Sequence, residues 1–324
     1  MRLENVEKVT SQARELGLSE KTIARIEEQM RNDVPRIQET ENIRGHRGNT
    51  EATVFLQQSN RSDSYYLHKI QYAHHRGKTP AEGHKFFVTL PERDGRKEFR
   101  SVENTLEAIN LFKSQKGNSE LSWGKTFKSS GLLARMEEGK VTEVNKDFQR
   151  TFNLTPQTQT VWVEEGKGFS VPQTVNLMER RYVHRDDLLN SLKGEVYAAW
   201  TCLNMDAAKD RHGNYELLQY SDPAYGFDLK AQLERFNLPG MEKPEKLEQA
   251  MAAIRNGDRL LVTAEQNGQP VKVYMEAEVR YGTMNFFDLD GNRIKRETLL
   301  KEDLQQDKGK ARGQEVTESQ ELSR

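Results

Sequence analysis

Cysteine is almost absent: Cys202 stands alone among 324 residues. An intramolecular disulfide is therefore excluded, and so is a zinc cage built on thiolates. Long apolar runs are missing too. No stretch approaches the roughly 18 apolar residues of a membrane-spanning helix. The opening, MRLENVEKVTSQARELG, is charged throughout and lacks the apolar core of a signal peptide. A soluble chain in a reducing cytoplasm is the expectation. Charge of one sign is lacking as well, since 49 Lys and Arg face 50 Asp and Glu, for a formal net charge of -1. Such a chain feels no long-range pull toward nucleic acid or an anionic membrane, so any polyanion site must be a local patch.

Several signatures of chemistry are also lacking. There is no Gly-x-Ser-x-Gly elbow and no His-Glu-x-x-His helix. GNSELSWGKT ends like a phosphate-binding loop at Gly124, Lys125 and Thr126. Ser119 holds the place of its first glycine, however, and AINLFKSQ before it reads as helix instead of strand. In DAAKDRHGNYE, Gly213 stands where a calcium loop would bend, but Ala208 replaces the leading carboxylate, so a hairpin turn is expected. Acidic pairs such as Asp186-Asp187 and Glu164-Glu165 read as solvated surface. Five histidines lie early, at His46, His68, His74, His75 and His84, with no carboxylate at ligand spacing. No metal and no cofactor are expected.

What is present is clear periodicity. Val6, Val9, Ala13 and Leu16 recur at helical spacing before Gly17. Ser19 is placed to cap a second helix with Ile23, Ile26 and Met30 inward, limited by Pro35. TENIRGHRGNTE then reads as a polar linker. Next, ATVFLQQ and YYLHKIQYAHH form strands about the turn SNRSDS, which is a hairpin signal. HKFFVTL is a further strand before the turn PERDG, and SVENTLEAINLFKSQ a helix. VYAAWTCLNM and YELLQY are strands around DRHGN; FDLKAQLERF and KPEKLEQAMAAIRNG are helices. RLLVTAEQ, VKVYMEAEV and TMNFFDLD are strands, with Asn267-Gly268 and Asp290-Gly291 as turn dipeptides. Trp162 and Trp200 sit in apolar strand-like runs and are expected to be buried, and Cys202 shares the side of Trp200. The last residues, QQDKGKARGQEVTESQELSR, have almost nothing to bury and are expected to be disordered.

The pattern is that of an α+β protein: an N-terminal helical hairpin followed by two small mixed lobes with antiparallel hairpins and short helices. Expected boundaries are a helical hairpin over 1–40, a mixed lobe with a basic-aromatic strand over 41–158, a second α+β lobe over 159–304 and a loose tail over 305–324. GFSVPQTVNLMERRYVHRDDL, VYAAWTCLNMDAAKDRHGNYELLQY, AYGFDLKAQLERF and GQPVKVYMEAEVRYGTMNFFD occur in that order. Together they resemble a domain-of-unknown-function family of gut-dwelling anaerobic bacteria and their conjugative mobile elements. The likeness covers residues 160–295. SDSYYLHKIQY resembles that family's N-terminal hairpin, and residues 90–158 read as an insertion. The resemblance implies a cytosolic accessory or binding role and carries no catalytic residue.

One stretch stands out for function. SDSYYLHKIQYAHHRGK crowds Tyr65, Tyr66, His68, Lys69, Tyr72, His74, Arg76 and Lys78 together. Alternation puts Tyr66, His68, Ile70, Tyr72 and His74 on one face and Tyr65, Leu67, Lys69, Gln71, Ala73 and His75 on the other. Aromatics interleaved with bases are what single-stranded nucleic acid needs; a strand whose tyrosines merely pack has the same composition. The expectation is a non-enzymatic accessory protein that binds a protein or a single-stranded nucleic acid through those eight residues. The alternative is an enzyme acting on nucleic acid or nucleotides through carboxylates that the sequence does not single out.

Overall fold

The computed structural model describes residues 3–62, 64–76, 84–91, 98–163, 168–190, 193–301 and 304. Lys78, most of the turn PERDG and the tail 305–324 lie outside the described residues. The chain combines helices with antiparallel sheets, an α+β protein. It divides into two compact units, residues 1–179 with 205–216, and residues 180–204 with 217–324. Among the described residues no helix is long and apolar enough to cross a membrane.

The first unit begins with α1 (Leu3–Glu15) and α2 (Glu20–Arg31). Val6, Val9 and Ala13 of α1 are buried, as are Ile23, Ile26 and Met30 of α2. Gly17 ends the first helix at φ +80, and the Ser19 hydroxyl accepts from Thr22 N at 3.3 Å to cap the second. Three strands follow: β1 (Arg36–Arg44), β2 (Asn49–Gln58) and β3 (Tyr65–His75). The stretch TENIRGHRGNTE is thus no linker; it is most of β1, a tight turn and the start of β2. The acids of β1 are placed by polar groups of the helices. Glu39 accepts from Arg25 Nε at 2.5 Å and from Gln29, and Glu41 accepts from the Ser19 hydroxyl at 2.8 Å. A strand so polar reads as a loop until those partners are known.

The unit continues through β4 (Lys85–Thr89), β5 (Phe99–Val102), α3 (Thr105–Lys113), β6 (Ser119–Gly124), β7 (Gly131–Glu137), β8 (Lys140–Val144) and α4 (Gln149–Asn153). It closes with β9 (Gln157–Trp162) and α5 (Val171–Met178). Ser101 and Val102 are strand, not the first helical residues, because Asn104 caps α3 by accepting from Glu107 N at 3.0 Å. Two sheets result, both antiparallel. One has the order β1-β2-β3-β9 and carries α1 against β3 and α2 against β1. The other has the order β5-β4-β6-β7-β8 and packs Phe86, Val88, Leu121 and Met136 on Phe112 of α3 and Phe152 of α4.

The second unit has β10 (Val183–Asn190), β11 (Glu195–Asn204) and β12 (Glu216–Asp222) in one sheet, then α6 (Leu229–Glu234) and α7 (Pro244–Arg255). A last antiparallel sheet contains β13 (Leu260–Gln266), β14 (Gln269–Glu278), β15 (Thr283–Phe287) and β16 (Arg293–Ile294). Asn267 and Gly268 both have positive φ, +52 and +75, as a two-residue hairpin turn demands. Trp200, Phe227, Leu233, Met251, Met275 and Phe286 make the core.

Candidate nucleic-acid interface

The register of the four-stranded sheet lines up a row of side chains across all four strands. Gln38 pairs with Phe55, Phe55 with Lys69, and Lys69 with Trp162. Residues paired across a sheet share a face, and so do residues two apart along a strand. The next row is therefore Thr40, Thr53, Gln71 and Thr160, and the one after it Asn42, Glu51, Ala73 and Thr158. In the first row the Lys69 ammonium lies 4.9 Å from the Phe55 ring centre and 5.5 Å from that of Trp162. Lys69 forms no ion pair with a described residue, and its charge lies against two aromatic faces.

A bulge completes the cluster. Lys69 is opposite Phe55 and Leu67 is opposite Leu56, which leaves His68 without a partner in the ladder. The His68 ring meets Trp162 edge-on at 5.0 Å, and Tyr66 meets His68 at 6.1 Å. Tyr66 is 44% exposed and Trp162 46% exposed. Four aromatic groups, Phe55, Tyr66, His68 and Trp162, and one ammonium thus cluster on this surface.

This surface leads into a cleft of about 690 Å³. Its floor is Gln38, Thr53, Phe55, Gln71 and Thr160 of the sheet; its walls are Arg100 and Ser101 of β5, Asn104, Glu107 and Asn110 of α3, and His212. The amides and hydroxyls offer both donors and acceptors. The same sheet face is closed further along by Glu51, which is fully buried. Its carboxylate accepts from Thr105 N at 2.8 Å and from the Thr105 hydroxyl, and lies 3.2 Å from His75 Nε2. The N-terminus of α3 is thereby tied to the sheet, fixing one wall of the cleft.

The eight residues of the basic-aromatic stretch are sorted by this geometry. Tyr66, His68 and Lys69 lie together on the open surface, and Arg76 is exposed just beyond β3. Tyr65, Tyr72 and His74 are buried beneath the helices and cannot stack on a ligand. The Tyr65 hydroxyl donates to Val34 O at 2.9 Å, and His74 Nδ1 lies 3.0 Å from the Thr50 hydroxyl. Lys78 is outside the described residues. Simple alternation fails here because the bulge at His68 shifts the phase. Tyr65 and Leu67 join Ile70, Tyr72 and His74 under the helices, while Tyr66 joins Lys69 and Gln71 on the open face. Trp162, expected to be buried, is instead 46% exposed. Its strand forms the sheet edge, and its side of the sheet is the one that α1 and α2 leave uncovered. Phe55 was not singled out either. Counting by twos along ATVFLQQ places it with Thr53 and Gln57, a polar face on which one aromatic is conspicuous.

The second unit holds a different polar group. His184 Nε2 and Asp222 Oδ2 are 2.7 Å apart beside Trp200, at the edge of a cavity of about 380 Å³ lined by Asp222, Phe227, Met251 and Arg255. Among the described residues no hydroxyl or thiol hydrogen-bonds to His184. Cys202 is buried, as expected, and burial pushes its thiol up to about 11, helped by the Glu278 charge and opposed by a hydrogen bond to Tyr182. A thiol held protonated at neutral pH is a poor nucleophile. The turn at Asp210 is closed by its own carboxylate, which accepts from His212 N and Asn214 N at 2.8 Å each. These backbone donors hold the Asp210 carboxyl below its ordinary range, that from Asn214 contributing most. Comparison with protein-family models, with curated proteins and with solved structures finds nothing that matches this chain.

Proposed function

We propose that the protein is a non-enzymatic accessory protein that binds single-stranded nucleic acid along the open face of its first sheet. The observation that carries this reading is the row Phe55, Lys69 and Trp162 with His68 and Tyr66 beside it: aromatic rings around an ammonium that forms no ion pair with a described residue. Bases stack on such rings whatever their identity, and a nearby cation meets the phosphate. The amides of the cleft, Gln38, Gln71 and Asn110, then present donors and acceptors to base edges. A cytoplasmic role in a bacterial mobile element is the setting that the sequence resemblance implies.

The test is fluorescence anisotropy of a labelled oligothymidylate at low salt. Trp162→Ala removes a stacking face and is expected to weaken binding about tenfold, since each stacked base contributes roughly 1–3 kcal/mol. A wild type that binds no single strand, or a variant that binds as well as wild type, overturns the reading. A second reading has its own support. β5 is a sheet edge, and its residues Arg100 and Ser101 line the cleft, as an extended peptide adding a strand would require. Binding that ignores salt and responds to peptide would favour that reading.

A further inference from the structure

The five-stranded sheet has a second face, turned away from α3, and it carries aromatic rings that the core does not use. Phe99 of β5 and Phe127, just after β6, stack at 4.2 Å with their planes 10° apart. The buried Phe87 ring meets each of them edge-on at 5.7 Å and fixes the pair in place. Yet Phe99 stays 46% exposed and Phe127 38% exposed. Lys125 and Lys128 flank Phe127; both are exposed and neither forms an ion pair with a described residue. Described charges nearby include Lys85 and Glu103, paired at 2.8 Å, and the exposed Glu98. A rigid aromatic platform with two exposed ammonium groups suits a stacked base and its phosphates.

The platform is continuous with the cleft. Phe99 and Arg100 are neighbours on β5, so their side chains leave opposite faces of the sheet. Arg100 lines the cleft, and β5 is the edge strand, so no further strand separates the two faces. We infer that a single strand held in the cleft continues past Arg100, crosses the β5 edge and stacks on Phe99 and Phe127, with phosphates at Lys125 and Lys128. This rests on the nucleic-acid reading of the cleft and extends it to a longer site.

The test compares labelled oligothymidylates of about 6 and about 16 nucleotides, a span typical of single-strand sites, on the full chain at low salt. Wild type is expected to bind the longer one about tenfold more tightly. Phe127→Ala, and separately Lys125→Ala with Lys128→Ala, are expected to cut that advantage to about threefold or less while leaving the short oligonucleotide's affinity unchanged. The lysine pair guards against a folding defect, because both side chains are exposed. If both variants keep the full advantage, or wild type shows no length dependence, the inference falls and the cleft reading stands. If wild type binds neither oligonucleotide, both fall. Self-association of wild type that Phe127→Ala abolishes, with oligonucleotide binding unchanged, would assign the platform to a second copy of the chain and overturn the inference.

Discussion

Glu51 shows how one residue sets the site without touching a ligand. It is a carboxylate without solvent exposure, and Thr105 and His75 replace the water it has lost. Removing it strands the Thr105 N–H and Nε2 of the buried His75 ring. Glu51→Ala is expected to cost about 3 kcal/mol or more in urea unfolding, with Glu51→Gln costing less because it still accepts. A loss under about 1 kcal/mol would mean that the clamp is replaced without penalty. Little of this was legible in the sequence. Thr105 is 54 residues away from Glu51, and nothing in ENTLEA marks its partner. The exposed half of the basic-aromatic stretch was legible, since Tyr66, His68 and Lys69 do share a surface. Trp162 was not, because a tryptophan in an apolar run is buried only if something covers that face, and cover is a property of the neighbouring elements.

Elements were read best where their ends are chemically marked. Ser19 and Pro244 stand at helix starts, and Gly17 at a stop, because each satisfies or spares a backbone group there. Gly17 has a second role. A Cβ at this position would lie 2.9 Å from Pro172 Cδ on α5, and φ of +80 is strained for any side chain. Gly17→Ala is expected to lower stability by about 1–3 kcal/mol, seen as a lower midpoint in thermal unfolding, whereas an unchanged midpoint would show that the α1–α2 turn relaxes freely. Strands with polar partners were read poorly. β1 hides as a loop because Glu39 and Glu41 find their partners on α2 and its cap. The bulge at His68 hides because an added residue leaves composition untouched and only shifts phase. That single shift decides which of the two tyrosines, Tyr65 or Tyr66, is available to a ligand.

At the scale of the molecule, sequence order and spatial order part company once. Residues 205–216 join two strands of the second unit, yet they belong to the first. Their task there is to cover the free edge of β9: Asn214 Oδ1 accepts from Thr160 N at 2.7 Å, and Tyr215 N donates to Gln159 Oε1 at 2.9 Å. DRHGN reads as an ordinary hairpin turn, so this use of it was not legible. The charge balance was, and it bounds the binding mode. With a net charge of -1, affinity for a polyanion must come from few cations placed locally. These are Arg100 in the cleft wall, Lys69 in the row beside it and Arg76 just beyond β3, and each phosphate neutralised on a single strand contributes about −0.7 to the slope of log affinity against log salt. A short oligonucleotide is therefore expected to show a slope of about −2, and Lys69→Ala to flatten it by about 0.7. The measurement is a titration series from about 50 to about 200 mM salt. A slope near zero would mean that the partner is not a polyanion. A slope steeper than about −5 would need more cations than this face holds, and would place the contact elsewhere on the chain.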